Sequence, residues 1–161
     1  MAVTREQVYA ALFLQLKNAG PVFKTYSRRW LSAWDDPEGD VTHLPLLVPF
    51  EGLEMVTYGN RGIGPVRTWG CRVEVYGKIP AEIVGPAAVP DGRTPGASVL
   101  NPLIDAVQDA LDVGRDLQTG LQSLGDLVID VRIEGEIIKA LGDEDPSGLC
   151  GALIPVKILV P

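Results

Sequence analysis

The sequence predicts an α+β fold, in which two helices pack on one face of a largely antiparallel or mixed sheet of about five strands. Apolar residues recur at helical spacing over residues 5–19 and 100–111. Apolar and polar residues alternate over residues 66–79, 127–138 and 149–160, as in half-buried strands. Glycine- and proline-rich segments separate these patterns. The expected element order is α-β-β-β-α-β-β, an arrangement that buries one sheet face under both helices.

The first helix is expected over residues 5–19. Thr4 can cap its N-terminus, and Gln7 completes a capping box by reaching back to the Thr4 amide. Gly20 suits the position just beyond the C-terminus. Residues 22–30 then have the alternation of a first strand.

Two strands and two loops are predicted between the helices. Residues 44–52 form a short strand, and its two prolines place it at a sheet margin or a bulge because proline donates no ladder hydrogen bond. The strand over residues 66–79 has the clearest alternation in the first half of the chain. Flexible loops are expected at about residues 53–65 and 79–98, where glycine and proline concentrate.

The second helix carries an apolar face and is followed by a long loop over residues 113–125. Ser98 or Asn101 can cap the helix, and Pro102 suits its first turn, where a missing N–H is harmless. The residues expected to be buried are Leu100, Leu103, Ile104, Val107 and Leu111.

Two strands complete the chain. The first is expected to extend over residues 127–138, and its side chains alternate between the core and solvent. The inward residues are Ile129, Val131 and Ile133, and the outward ones are Asp130, Arg132, Glu134 and Glu136. The second strand places Ala152, Ile154, Val156, Ile158 and Val160 on one apolar face.

Bulk properties fit a single domain over residues 1–161. The chain is 46% hydrophobic and 22% charged, and its formal net charge of −7 opposes nonspecific nucleic-acid binding, which needs clustered lysine and arginine. The apolar runs are shorter than the roughly 20 residues of a membrane helix. Charged and amide side chains interrupt the N-terminal helix, which argues against a signal peptide. Cys71 and Cys150 lack metal-site spacing and are expected to be buried free thiols.

The sequence shows no catalytic motif, so we assign no catalytic residue, metal ligand or cofactor. His43, the one histidine, has no nucleophile motif nearby. Carboxylates cluster on the strand at Asp130, Glu134 and Glu136, and three more lie in the turn at 142–146. Hard divalent cations accept such oxygen ligands, but the turn lacks calcium-loop spacing. A solvated strand face and an acidic turn are the favoured interpretation.

The chain resembles the tail terminator proteins of long-tailed phages, the group that includes the lambda-type minor tail protein U. The likeness rests on residues 4–30, a capped helix that leads into a strand with paired arginines. It continues in residues 100–111, 119–137 and 154–161, which follow in the expected order. The proline-rich stretch at 80–98 departs from the pattern.

This resemblance implies a virion structural protein of a phage or prophage and implies neither catalysis nor a cofactor. Such a protein forms a ring, commonly a hexamer, which caps the tail tube, ends its elongation and provides the surface that joins the head. Its partners would be further copies of itself, the tail tube protein and a head-completion or neck protein. No membrane is involved, and DNA only passes through. The protein would reside at the head-proximal end of the virion tail, and in the host cytoplasm during assembly.

Two groups of residues are candidates for these contacts. The candidate protein-interface residues, taken from loop-like segments, are Trp34, Met55, Tyr58, Arg61 and Arg93. The candidate acidic lining of the central passage consists of Asp130, Glu134 and Glu136, because an acidic bore repels the DNA backbone.

Three alternatives stay open at the level of sequence. The nearest is another tail or neck completion or connector protein. A small metal-dependent hydrolase that uses the strand carboxylates is a second, and a bacterial adaptor domain is a third.

Overall fold

Helices and strands occupy most of the five segments that the computed structural model describes, residues 3–28, 43–57, 66–81, 94–144 and 147–161. Within them the predicted α+β fold is confirmed. The helices are α1 (Arg5–Leu16) and α2 (Pro95–Asp112). The strands are β1 (Thr25–Tyr26), β2 (Leu46–Thr57), β3 (Val66–Lys78), β4 (Asp130–Ile133), β5 (Ile138–Ala140) and β6 (Leu149–Val160).

The sheet is built around β6. Its order is β1-β2-β3-β6-β4, and β5 pairs with β6 on the same edge as β4. β3 runs antiparallel to β6 along its whole length, from Arg67 opposite Val160 to Lys78 opposite Leu149. β1 is parallel to β2, so the sheet is mixed.

One face of the sheet forms the core with both helices. The predicted apolar face of β6 is confirmed, because Ala152, Ile154, Val156, Ile158 and Val160 are all buried. Tyr9 on α1 stacks on Trp69 with ring centroids 6.1 Å apart. α2 approaches β3 closely at Gly77, where an added Cβ would lie 2.7 Å from Val99 Cγ1.

The N-terminal cap is confirmed, and the helix is shorter than expected. Thr4 and Gln7 form the predicted capping box. α1 ends at Leu16, and a 3₁₀ segment, Lys17–Val22, follows it. That segment contains Gly20 at a φ of 71°, which a residue with a Cβ rarely adopts. The predicted strand at 22–30 is reduced to Thr25–Tyr26, and residues 29 and 30 lie outside the described residues.

The two predicted loops are shorter than the sequence suggested. Residues 53–57 belong to β2, because a shift in register between Glu51 and Glu54 lets the strand continue past Gly52 as a bulge. Residues 95–98 belong to α2. Residues 79–81 and 94 are described and belong to neither β3 nor α2, and residues 58–65 and 82–93 lie outside the described residues.

α2 begins earlier than predicted. Thr94 is its N-cap, and Pro95 occupies the first turn, so the predicted caps Ser98 and Asn101 are wrong and both lie within the helix. Pro102 is also interior, where it removes one backbone hydrogen bond. Packing holds the helix together across this gap, because the predicted apolar face is confirmed as buried. Its residues are Leu100, Leu103, Ile104, Val107 and Leu111.

The expected continuous strand at 127–138 is interrupted. The Glu134 N–H donates to Pro155 O at 3.1 Å. The nitrogen and the carbonyl oxygen of a residue in an antiparallel strand point to the same neighbour, so the Pro155 nitrogen also faces this edge. Proline has no N–H, and the hydrogen bond expected there cannot form. Gly135 crosses Pro155 at a φ of 129°, and an added Cβ would lie 3.0 Å from the Pro155 ring. The ladder therefore breaks between β4 and β5. Of the residues predicted to point inward, Val131 is buried, but Ile129 is exposed.

We predict that Gly142→Ala is much more destabilising than Gly114→Ala. Both glycines have positive φ, 69° and 76°, so alanine at either position loses roughly 1–2 kcal/mol from backbone strain. At Gly142 the added Cβ would also lie 1.9 Å from Leu149 O, whereas at Gly114 nothing lies within 4 Å. This clash should add about 1–3 kcal/mol to the loss at Gly142. Urea unfolding of the two variants measures the difference, and equal free energies of unfolding would contradict the described turn.

Candidate functional site

Met55 is the one predicted interface residue that lies within the described part of the chain. It belongs to the second half of β2 and is 61% exposed. The other four, Trp34, Tyr58, Arg61 and Arg93, lie outside the described residues.

Met55 lines a shallow concavity of about 640 Å³, which we call the sheet groove. The groove crosses the sheet face opposite the helices, because Met55 pairs with Thr68, and Gly70 pairs with Lys157, on the side away from the core. Its apolar walls are Leu53 and Met55 from β2 and Pro155 from β6.

The β2 bulge and two glycines shape the sheet groove. Gly52 and Gly70 bring the backbones of β2 and β3 together, since an added Cβ on Gly52 would lie 2.8 Å from Gly70 O. The groove floor at Gly70 therefore carries no side chain. Leu53, at the bulge, is 91% exposed, which leaves a large apolar side chain uncovered beside the depression.

Ion pairs lie next to the sheet groove on both faces of the sheet. The pair of Glu54 is on the helix face, because Glu54 is opposite Trp69, and the pairs of Glu134 are on the groove face. Arg5 on α1 holds Glu54 through two hydrogen bonds, of which the one from Nη2 to Oε2 is 2.6 Å. The bond from Arg5 lowers the pKa of Glu54. Glu134 accepts from Lys157 and from Arg132, the latter at 2.6 Å, and the hydrogen bond from Lys157 is the main cause of its lowered pKa. Both carboxylates are thus held ionised beside cations.

A buried carboxylate lies on the groove face of the sheet. Glu74 is almost fully buried, accepts from Arg72 Nε at 2.7 Å and accepts from the hydroxyl of Tyr76. The two donors satisfy the carboxylate oxygens of Glu74. The bond to Glu74 also fixes the orientation of the Arg72 guanidinium, which lies 5.4 Å from the centre of the Phe50 ring.

Asp130 does not face solvent, so its predicted outward orientation is wrong. It is 1% exposed and accepts the Gln122 N–H at 2.9 Å. Its carboxylate also pairs with Arg115 at 3.5 Å and Arg132 at 3.4 Å. Asp130 is buried because residues 113–129 fold back over the start of β4. Of the other predicted acidic residues, Glu134 and Glu136 are exposed.

The two cysteines are confirmed as buried free thiols. Burial raises the pKa of Cys71 to about 12 and that of Cys150 to about 11. A thiol with such a pKa has almost no thiolate at neutral pH and is a poor nucleophile or metal ligand.

The described segments contain neither a candidate metal site nor a candidate membrane span. No group of three or more histidine, cysteine, aspartate or glutamate residues there could hold a metal ion. No described helix is long and apolar enough to cross a bilayer. His43 is exposed just before β2.

Sequence reasoning missed a second apolar surface, on residues 113–122, which we call the Leu117 loop. Leu117 is 101% exposed, and Val113 and Leu121 are also exposed. The Asp116 carboxylate accepts the N–H groups of Gln118 and Thr119 at 2.7 and 3.0 Å. An aspartate two and three residues before such amides is an Asx-turn signal, and it could have indicated an ordered loop.

No family model matches the chain. No curated protein matches it either.

We predict that Asp130→Asn destabilises the protein by about 1–3 kcal/mol, because it leaves the buried site without the charge that faces Arg115 and Arg132. Glu136→Gln, a matched neutralisation at an exposed position, should stay within about 0.5 kcal/mol. Urea denaturation at neutral pH measures both. If the two variants were equally stable, Asp130 would not have the structural role described here.

We also predict that neither thiol reacts in the native state. At pH 8, iodoacetamide should modify Cys71 and Cys150 only after unfolding, because burial suppresses the thiolate. Mass spectrometry with and without urea provides the measurement. Native-state modification at the rate of a free cysteine peptide would show that the core around β3 and β6 opens.

Proposed function

We propose that this protein is a tail terminator, a virion structural protein of a long-tailed phage or prophage. It assembles as a ring, with six copies as the expected arrangement. The ring caps the tail tube, ends its elongation and provides the surface that joins the head. The observation that carries the proposal is the sheet groove with its exposed apolar side chains, together with the resemblance described above.

The sheet groove has the composition of a protein-contact surface. Apolar walls at Leu53, Met55 and Pro155 are flanked by the ion pairs of Glu134 with Lys157 and Arg132. An apolar centre with a polar rim is typical of protein interfaces. When a partner covers exposed apolar side chains in such an arrangement, the free energy of the complex is lowered.

The outer edge of β2 is a second feature that supports assembly. Among the described strands, β1 pairs with β2 only at Leu46 and Leu47. Beyond Leu47 no described strand pairs with this edge, and a strand edge of this kind can pair with a partner.

Two of the three carboxylates expected to line an acidic passage contribute little negative charge to it. Asp130 is buried, and Lys157 and Arg132 offset the charge of Glu134. We propose that Glu136 and the exposed turn residues Asp143 and Glu144 contribute most of the negative potential that would keep DNA from adhering to the passage.

We predict that deleting the gene from the phage or prophage that encodes it gives overlong tail tubes. The wild-type gene supplied in trans should restore tube length. The double variant Leu53→Asp/Met55→Asp should lower the infectious titre about a hundredfold or more, because it places charges in an apolar contact. Electron microscopy measures tube length, and plaque counts measure titre.

Leu14→Asp is the matched control, because Leu14 is an exposed leucine on α1 outside the sheet groove. It should complement like the wild type. Tubes of normal length that lack heads would instead indicate a neck or completion protein. Normal, fully infectious particles without the gene would refute a virion role.

A further inference from the structure

We propose that the Leu117 loop of one copy inserts into the sheet groove of the next, so that the chain associates head to tail. The inference deepens the proposed ring, on which it rests, by naming the two surfaces that would build it. The occupant of the groove is a second copy of this chain.

The Leu117 loop presents an apolar side chain on a hydrogen-bonded backbone. Leu117 stands fully in solvent, yet the backbone on either side of it is closed by hydrogen bonds. The Asp116 N–H donates to Leu121 O at 2.9 Å, and the Gly120 N–H donates to Asp116 O at 2.7 Å. A partner that covers Leu117 therefore need not order the loop first, which lowers the entropic penalty of binding.

Arg115 anchors the Leu117 loop to the fold. Its guanidinium donates to Asp112 at 2.8 Å, to Gly120 O at 2.7 Å and to Val131 O at 3.2 Å. These bonds tie the loop to the end of α2, to its own far side and to β4. The exposed leucine is held in a constant position relative to the sheet.

The sheet groove is large enough and apolar enough to receive a leucine. Its volume of about 640 Å³ is bounded by Leu53, Met55 and Pro155, and its floor at Gly70 has no side chain. An apolar side chain that enters it covers the apolar surface on both sides of the contact.

Charge also favours this pairing. The charged side chains on the groove face that are at least partly exposed are Arg72, Arg132 and Lys157 against Glu134, whereas Glu74 and Asp130 on this face are buried. The Leu117 loop and its flanks carry Asp112, Asp116 and Asp126 against Arg115. Backbone hydrogen bonds from Thr119 and Gln118 lower the pKa of Asp116 and keep it anionic. Most exposed charges at the groove are thus opposite in sign to those of the loop.

The two surfaces lie on different parts of the fold. The sheet groove is on the face opposite the helices, whereas the Leu117 loop connects α2 to β4. A contact between them is heterologous. The copy that inserts its loop still has an empty groove, and the copy that provides the groove still has a free loop. Repetition of such a contact produces a ring when the rotation closes.

Sedimentation velocity of the purified chain at up to about 1 mM tests the proposal. Wild-type protein should associate with increasing concentration. Leu117→Asp and Leu53→Asp/Met55→Asp should each weaken association about a hundredfold or more. Leu14→Asp, on the exposed side of α1, should behave as wild type. The substituted side chains are exposed, and circular dichroism with urea midpoints will confirm that each variant is folded.

An equimolar mixture of the two defective variants is the decisive measurement. Leu117→Asp retains an intact groove, and the double variant retains an intact loop, so the mixture should form dimers and nothing larger. Wild-type protein that stays monomeric throughout, Leu117→Asp that associates normally, or a mixture that stays monomeric would overturn the proposal.

The outcome is separable from that of the proposed function. Rings that form through another surface, alongside overlong tubes in the deletion, would refute the loop-and-groove contact and leave the tail role intact. Association through the loop and groove, with tails unaffected by deletion, would support the contact and refute the role.

Discussion

Both layers of this fold depend on β6, because its two edges are hydrogen-bonded and its alternate side chains form the floor of the core. β3 covers one edge along its full length, while β4 and β5 share the other. Its even-numbered residues from 152 to 160 are buried against the helices. The odd-numbered positions Pro155 and Lys157 instead line the sheet groove. The two-residue period of one strand thus determines both the stability of the domain and the position of its candidate contact surface.

Pro155 connects the architecture to that surface. It donates no hydrogen bond to the neighbouring edge, so the ladder breaks where Gly135 crosses it. The break separates β4 from β5 and leaves Glu134 beside Lys157 at the margin of the groove. A regular strand through this position would continue the ladder, and the chain would not turn away from β6 here. A single imino acid therefore shapes the sheet edge and positions an ion pair next to an apolar wall.

The parts of the fold that sequence could predict are those governed by neighbours along the chain. The Thr4–Gln7 capping box and the alternation of β6 were predictable because each depends on residues a few positions apart. The length of β2 was not, since its bulge is stabilised by the approach of Gly70 from another strand. Asp130 alternates like a solvent-facing residue, but a loop and two arginines bury it. The exposed position of Leu117, one side of the proposed contact, was not predictable either, because the composition of its segment indicated only a loop.

Electrostatics and apolar burial have opposing roles in the proposed self-association. Each copy carries a formal charge of −7, so separate copies repel one another at long range. Salt screens this repulsion beyond a Debye length of about 8 Å at physiological ionic strength. Local pairing between the acidic loop and the cationic groove margin acts within that distance and orients the approach. Because exposed ion pairs contribute little net free energy, affinity must come from covering Leu117, Leu53 and Met55. Such a surface keeps dilute copies apart and favours association where copies are concentrated, as on the end of the proposed tail tube.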